Sequence, residues 1–359
     1  MLQPEISPKA YLEIRNLSHR YGRTLALKNV PFEGERNKIL ALIGPSGSGK
    51  TTLLATIAGI VKPYSGEMFL RGLNLLESPS EARGLGMVFQ DYALWPHMTV
   101  AQNVAFPLGA RKKFSREEID SRVSSALKGV GLRGFEHRRP HELSGGQQQR
   151  AALARAVVGE TRLLLLDEPL SALDPATRLS VGSELADFLR ILNLTTIIVT
   201  HDREEAFGLA DRVPWLVDGE IQQHGPAQEI YERLANPGVA RFIGVNLLHV
   251  YMLGGREAHL MGVSGRLQLL GSYSPGAAYV TIAPEQTRVV DSYYEAKNVF
   301  HGQLLKAQYR GGEYRVRVRL ETSGMNLDIE ARAKTLPMGE GLHVHLPEEN
   351  LYVLERTWK

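Results

Sequence analysis

Cysteine is absent from the 359-residue chain. Its absence excludes disulfides, thiolate zinc sites, iron–sulfur clusters and cysteine nucleophiles. Excess charge of either sign is absent too: 42 Lys and Arg against 39 Asp and Glu leave a formal charge of +3. That excludes a protein whose main work rests on a strong basic field over nucleic acid. No run approaches the ~18 consecutive apolar residues that span a bilayer. The start, MLQPEISPKA, lacks the charged-then-apolar pattern of a signal peptide. The expectation is a soluble, cytosolic chain that meets a membrane only through a partner. Low-complexity segments and solenoid repeats are missing as well.

What is present is a 43% hydrophobic fraction, sufficient to bury a core without staples. At ~150 residues per domain the length suggests two domains, and two stretches do read differently. In the first, strands are predicted at Lys38–Ile43, Gly86–Gln90, Leu163–Leu166, Thr195–Thr200 and Val213–Val217. These are continuous apolar runs, as in strands buried on both faces of a parallel sheet. Helical patterns fall between them, at about 50–60, 115–130, 145–158, 175–192 and 203–210, and such alternation implies a layered α/β fold. Leu12–Leu17 and Leu25–Phe32 read as an antiparallel pair in front. Past about Arg241 short strands take over, punctuated by Gly pairs. There Tyr314, Val316, Val318 and Leu320 alternate with Arg315, Arg317 and Arg319, the mark of a half-buried strand. This implies a small β-barrel or sandwich, with Pro237-Gly238 as a plausible joint.

Three motifs carry chemistry. Gly44, Pro45, Ser46, Gly47, Ser48, Gly49, Lys50 and Thr51 fit G-x-x-x-x-G-K-[ST] between an apolar strand and an apolar helix. Glycines let backbone N–H groups curl around phosphate oxygens at a helix N-terminus. Lys50 would reach the β- and γ-phosphates and Thr51 would ligate Mg²⁺. Second, Leu163–Leu166 ends in Asp167 and Glu168. Beside a phosphate loop, the first acid faces the metal and the second polarises water as a general base. Third, LSGGQQQR at 143–150 opens a helix with Ser144 as N-cap, and Gly145 and Gly146 expose backbone donors. One phosphate loop does not need a second anion cradle, so the economical reading is that this one serves the nucleotide of another copy.

In this order, with Ser171-Ala-Leu-Asp174 and Thr200-His201 following, these motifs resemble the nucleotide-binding subunit of an ATP-binding-cassette transporter over roughly residues 10–240. GPAQEIYERLANPGVARFIG at 225–244, Ile282-Ala-Pro-Glu285 in a β-rich tail, and Phe89–Val100 resemble the maltose, polyamine, ferric-iron and sulfate importers. The resemblance implies a P-loop NTPase cassette at 1–240 with a helical subdomain at about 91–160. An all-β, oligonucleotide-fold-like regulatory barrel would follow at 241–359. It implies Glu168, His201, Gln90 and Lys50 as catalytic residues, and Thr51, Gln90 and Asp167 as the Mg²⁺ set. ATP contacts would come from Tyr21 on adenine, from Gly44 to Thr52 including Thr52 itself, and from Ser144, Gly145, Gly146, Gln147 and Asp174. It further implies a homodimer of ATPases beneath the inner membrane, two permease subunits seated at Phe89–Val100, an extracytoplasmic solute-binding protein, and no nucleic acid. The solute is not legible.

Two departures stand out. The turn Gly34–Lys38 before the phosphate-loop strand is longer than in the family, and Ala283 stands where the family often has Arg. A cassette acting on DNA or ribosomes is the rival reading, but one cassette and a short gap from Thr51 to Leu143 disfavour it. An exporter rarely carries such a tail. His137 with His141, His343 with His345, and the Arg315–Arg319 row read as structural or solvated features.

Overall fold

The structure, a computed structural model, describes residues 10–110, 114–171, 173–291, 296–321, 327–336 and 341–354. The chain divides into two compact units, Met1–Gln228 and Glu229–Lys359.

The first unit opens with the antiparallel pair β1 (Ala10–Tyr21) and β2 (Thr24–Glu35), followed by β3 (Ile39–Leu42), α1 (Lys50–Ala58), β4 (Ser65–Leu70), β5 (Leu73–Asn74) and β6 (Leu85–Val88). Helices α2 (Val100–Ala110), α3 (Arg116–Gly129) and α4 (Gly145–Val157) come next. The unit closes with β7 (Leu163–Asp167), α5 (Pro175–Ile191), β8 (Thr195–Val199), α6 (Arg203–Leu209), β9 (Val213–Val217) and β10 (Glu220–Gly225). One sheet is antiparallel, in the order β2-β1-β4-β5, and the other is parallel, in the order β3-β8-β7-β6.

The parallel sheet explains the continuous apolar runs. Successive side chains of a strand point to opposite faces. Leu163 and Leu165 therefore enter a core with α1 and the antiparallel strands, while Leu164 and Leu166 enter a second core with α2 to α5. β9 pairs antiparallel with β10, and single parallel bridges, Leu40 to Arg212 and Ile43 to Trp215, set it beside β3. The long turn before β3 is closed at Asn37, whose φ is 59° and whose N–H donates to Thr195 Oγ1 at 2.8 Å.

Helix α2 is the element that the apolar pattern does not announce. Its start is marked by Thr99 and Gln102, which exchange side-chain-to-backbone bonds of 3.2 and 2.9 Å. This is the capping-box arrangement. Pro107 lies inside the helix and obscures its pattern.

The second unit starts within α7 (Ala227–Glu232) and continues through α8 (Pro237–Ile243) into strands. Pro237-Gly238 lies within this second unit. Pro237 opens α8 behind the N-cap Asn236, where a proline's missing N–H costs nothing. The division at 228 and 229 precedes the expected boundary at 240, because α8 clusters with the strands. These are β11 (Asn246–Leu260), β12 (Arg266–Tyr273), β13 (Gly276–Ile282), β14 (Arg288–Val290), β15 (Val299–Arg310), β16 (Glu313–Leu320), β17 (Leu327–Ala333), β18 (Gly341–His345) and β19 (Tyr352–Val353). Strands β14, β17, β16, β15 and β18 close into a barrel, and β12-β11-β13-β19 form a sheet that shares its core.

Candidate active site

In a parallel α/β sheet, ligands gather beyond the carboxyl ends of the strands. The carboxyl ends of β3, β6, β7 and β8 and the segments just after them hold Gly44–Thr51, Gln90, Asp167 with Glu168, and Thr200 with His201. Adjacent strand order alone therefore brings four segments, far apart in sequence, to one edge.

The loop after β3 is shaped by glycines at positive φ: Gly44 (156°), Gly47 (79°) and Gly49 (104°). A Cβ on Gly44 would lie 2.0 Å from the Leu216 carbonyl oxygen, and one on Gly49 would lie 2.4 Å from that of Ala26. Larger residues are thus excluded at both. Lys50 Nζ donates to the carbonyls of Gly44 and Pro45 at 2.9 and 2.8 Å. Burial lowers its pKa, while Glu168 and Asp167 oppose that shift. Among the described residues the buried Ser48 Oγ has no hydrogen-bond partner, as expected of a group whose acceptor is a phosphate oxygen. The donor set suits a nucleotide.

Glu168 is the hub of the edge. Its φ is 46° and its N–H donates to Val199 O at 2.9 Å. Gln90 Nε2 lies 3.3 Å from Oε2, and His201 Nδ1 lies 3.2 Å from Oε1. Each carboxylate oxygen therefore faces one partner. Ser171 Oγ donates to the Glu168 carbonyl at 2.9 Å and lies 3.4 Å from Gln90 Nε2. Burial and the neighbouring Glu168 raise the pKa of Asp167, against the pull of Lys50.

Of the remaining anticipated residues, Thr51 and Thr52 follow Lys50 on α1, and the others lie on separate elements. Ser144 caps α4 in a reciprocal box with Gln147, at 3.4 and 3.0 Å, and nothing lies within 4 Å of a Cβ placed on Gly145 or Gly146. The helix start is therefore open. Asp174 caps α5, accepting from Thr177 N at 3.1 Å, while Ala172 of that motif lies outside the described residues. Tyr21 is 54% exposed, edge-on to His19 at 4.7 Å. Thr51 is exposed and Thr52 half-buried on the first turn of α1. Among the described residues no hydrogen bond joins Ser144 or Gln147 to the Lys50–Glu168 group.

Sequence reasoning missed the supports. Arg178 Nη1 donates to Asp202 at 2.8 Å and its Nη2 to the Leu173 carbonyl at 2.8 Å. Thr200 Oγ1 donates to Glu205 Oε2 at 2.7 Å and accepts from Asp202 N at 3.0 Å. Burial pushes Glu205 up to about 7. Arg155 of α4 donates to the carbonyls of Tyr92 and Ala93, at 2.8 and 2.6 Å. Those two residues have positive φ, 62° and 45°. The only sequence signal for these supports is an Arg or Glu at an otherwise apolar helix position.

A glycine-walled phosphate loop, a strand-end acid pair and a second capped helix start on one α/β sheet define an ATP-hydrolysing cassette. Comparison with known proteins agrees. The ABC transporter family model matches residues 27–171, and a TOBE domain model matches 280–354. A spermidine/putrescine import ATP-binding protein PotA of Nitratidesulfovibrio vulgaris is 43% identical, covering 77% of each chain. That of Lawsonia intracellularis is 42% identical, covering 87% of each. A solved dimeric structure of the ATP-binding cassette MJ0796, in a post-hydrolysis state bound to ADP and Pi, is 32% identical with a TM-score of 0.53. It covers 60% of this chain and 98% of its own. The chain belongs to the ABC transporter family, as the ATP-hydrolysing subunit of an importer.

Proposed function

We propose that two copies of this chain enclose two ATP molecules, each held by one copy's Gly44–Thr52 loop and Tyr21 and by the other copy's Ser144, Gly145, Gly146 and Gln147. The carrying observation is the open, glycine-flanked start of α4, which among the described residues no hydrogen bond ties to its own chain's phosphate loop. The dimeric structures of the MJ0796 cassette, one of them bound to ADP and Pi, support a nucleotide-binding dimer. Lys50 neutralises phosphate charge. Glu168 takes the proton of the attacking water, while Gln90 and His201 hold its two oxygens in place. Thr51, Gln90 and Asp167 are oxygen donors suited to Mg²⁺, which supplies positive charge at the phosphates when bound. Asp174 links the two sites.

Among the described residues no helix is long and apolar enough to cross a membrane. As for an importer subunit, we place the chain at the cytoplasmic face, held by two permease subunits at the Phe89–Val100 segment and fed by a solute-binding protein outside; the import relatives support this. The names of the relatives support a polyamine as solute, and uptake of labelled spermidine by the assembled transporter tests that point.

The deciding experiment uses Glu168→Gln, which keeps ATP binding and lowers turnover by about 10²–10⁴-fold. On ATP this variant dimerises in light scattering. Adding Ser144→Arg abolishes dimerisation while monomer ATP affinity stays. Equal dimerisation with and without Ser144→Arg would sink the shared-site reading.

A further inference from the structure

The outer face of the barrel carries a charge arrangement that ATP hydrolysis does not use. Val316, Val318 and Leu320 of β16 are buried in the barrel core, so Arg315, Arg317 and Arg319 alternate onto the outside. On β15 the register sets Gln308 across from Arg315, Lys306 across from Arg317, and Gln303 across from Arg319. Strand β15, VFHGQLLKAQYR, contains no carboxylate. A lysine directly across from an arginine is an unfavourable cross-strand pair, and β15 itself offers no acid to relieve it.

The other flank, β17, supplies acids unevenly. Arg319 has its own partner, Asp328, at 2.8 Å. Glu330 serves two arginines, Arg315 at 2.7 Å and Arg317 at 3.2 Å. Its backbone is pinned by buried Asn246, which accepts from Glu330 N at 2.7 Å and donates to Glu330 O at 2.8 Å. One fixed carboxylate thus aligns two guanidinium groups without neutralising both. Lys306, Arg310, Arg315 and Arg317, with the Gln308 amide, surround a hollow of about 320 Å³ that holds Glu330 as its one acid. Among the described residues no ion pair forms to Lys306, and Glu313, which lies directly across from Arg310 in the register, pairs with Arg332 instead.

We propose that this groove binds a small polyphosphate anion. Guanidinium groups present planar donor pairs matched to phosphate oxygens, and each arginine here keeps N–H donors beyond those that Glu330 accepts. Lys306 and Arg310 lie four residues apart on one strand, roughly 13 Å at strand rise. That exceeds one phosphate group and suits two or three in a row. A nucleic-acid strand is the less fitting occupant. Base stacking needs aromatic platforms, the lining has none, and Tyr309 alternates onto the other side of β15 from Lys306, Gln308 and Arg310.

The test is calorimetric titration of the full chain with tripolyphosphate. Because the phosphate loop also takes polyphosphate, sites are counted. Wild type binds two per chain. Lys50→Ala binds one, which weakens as salt rises. Lys306→Gln with Arg317→Gln binds one, keeps its ATP affinity and thermal transition, and in the Lys50→Ala background leaves no tripolyphosphate site that the titration detects. Three results would overturn the proposal: no tripolyphosphate bound by Lys50→Ala, two sites persisting in the Lys306 and Arg317 variant, or inorganic phosphate binding the groove as tightly as tripolyphosphate. Tighter binding of a mixed-sequence DNA 12-mer, lost with the same two substitutions, would make the face a nucleic-acid surface and would equally end it.

Discussion

Strand β7 of the cassette and strand β16 of the barrel spend their residues in opposite ways. In β7 neighbouring leucines enter two cores, and chemistry waits until the strand ends at Asp167 and Glu168. In β16 every second residue stays outside, so charge runs along the strand. A sheet covered on both faces can act only at its edge, whereas a barrel strand offers a whole side. The same difference governs where carboxylates sit. Glu205, beside the strand-end loop, is buried and raised to about 7. At Glu330 burial also pushes upward, but hydrogen bonds from Arg315 and Arg317 outweigh it and hold the carboxyl below its ordinary value.

The contrast breaks most visibly in core truncations. Leu164→Ala and Leu165→Ala point to opposite faces of β7, are both fully buried, and should each cost about 2–5 kcal/mol in denaturant unfolding. One of the pair being tolerated would mean that one face of the sheet is loosely covered. A middle-sized effect concerns pH. The folded-state pKa of Glu205 lies above its ordinary 4.5, at about 7, so the folded state holds the proton more tightly. Stability is then highest below pH 4.5, falls as pH rises toward 7, and stays reduced above. The span is about 3 kcal/mol for this group. Glu205→Gln should flatten that limb in unfolding titrations, and an unchanged slope would show that Glu205 is charged at low cost. Glu330 has the opposite sign: its contribution is present above 4.5 and is lost as pH falls through its lowered pKa. The smallest effect is Arg319→Ala. Its partner Asp328 is a solvated surface acid, and exposed pairs contribute little, so the melting temperature should match wild type. A clear loss there would blur the line between the two kinds of strand.

How far the sequence could be read follows the same division. The phosphate loop and the Asp167–Glu168 pair were legible because each adjoins a continuous apolar run, whereas Gln90 and His201 were placed only through the family resemblance; Gln90, Asp167, Glu168 and His201 do meet there. Helix α2 was not legible, since Pro107 masks a start that Thr99 and Gln102 signal only once they are seen bonded. Helix α8 was hidden because a Pro-Gly pair reads as a break until Asn236 is recognised as its cap. The supports Arg155, Arg178 and Glu205 depend on contacts across 62, 24 and 5 residues, and spacing alone does not encode such distances. The shared carboxylate of Glu330 is likewise a matter of register, which the alternation of Arg and Val leaves undetermined.

The bond from Arg155 to the carbonyls of Tyr92 and Ala93 has a mechanical consequence. Helix α4 carries Ser144 at one end and Arg155 near the other, a span of about 16 Å at helical rise. Tyr92 and Ala93 already sit in left-handed backbone, where side-chain-bearing residues have little room to adjust. A displacement of the segment after Gln90 therefore has no slack in which to dissipate. It passes through one guanidinium into a stiff rod whose far tip is Ser144. A shift of that segment is thereby carried along α4 toward Ser144, the contact proposed above for a second nucleotide.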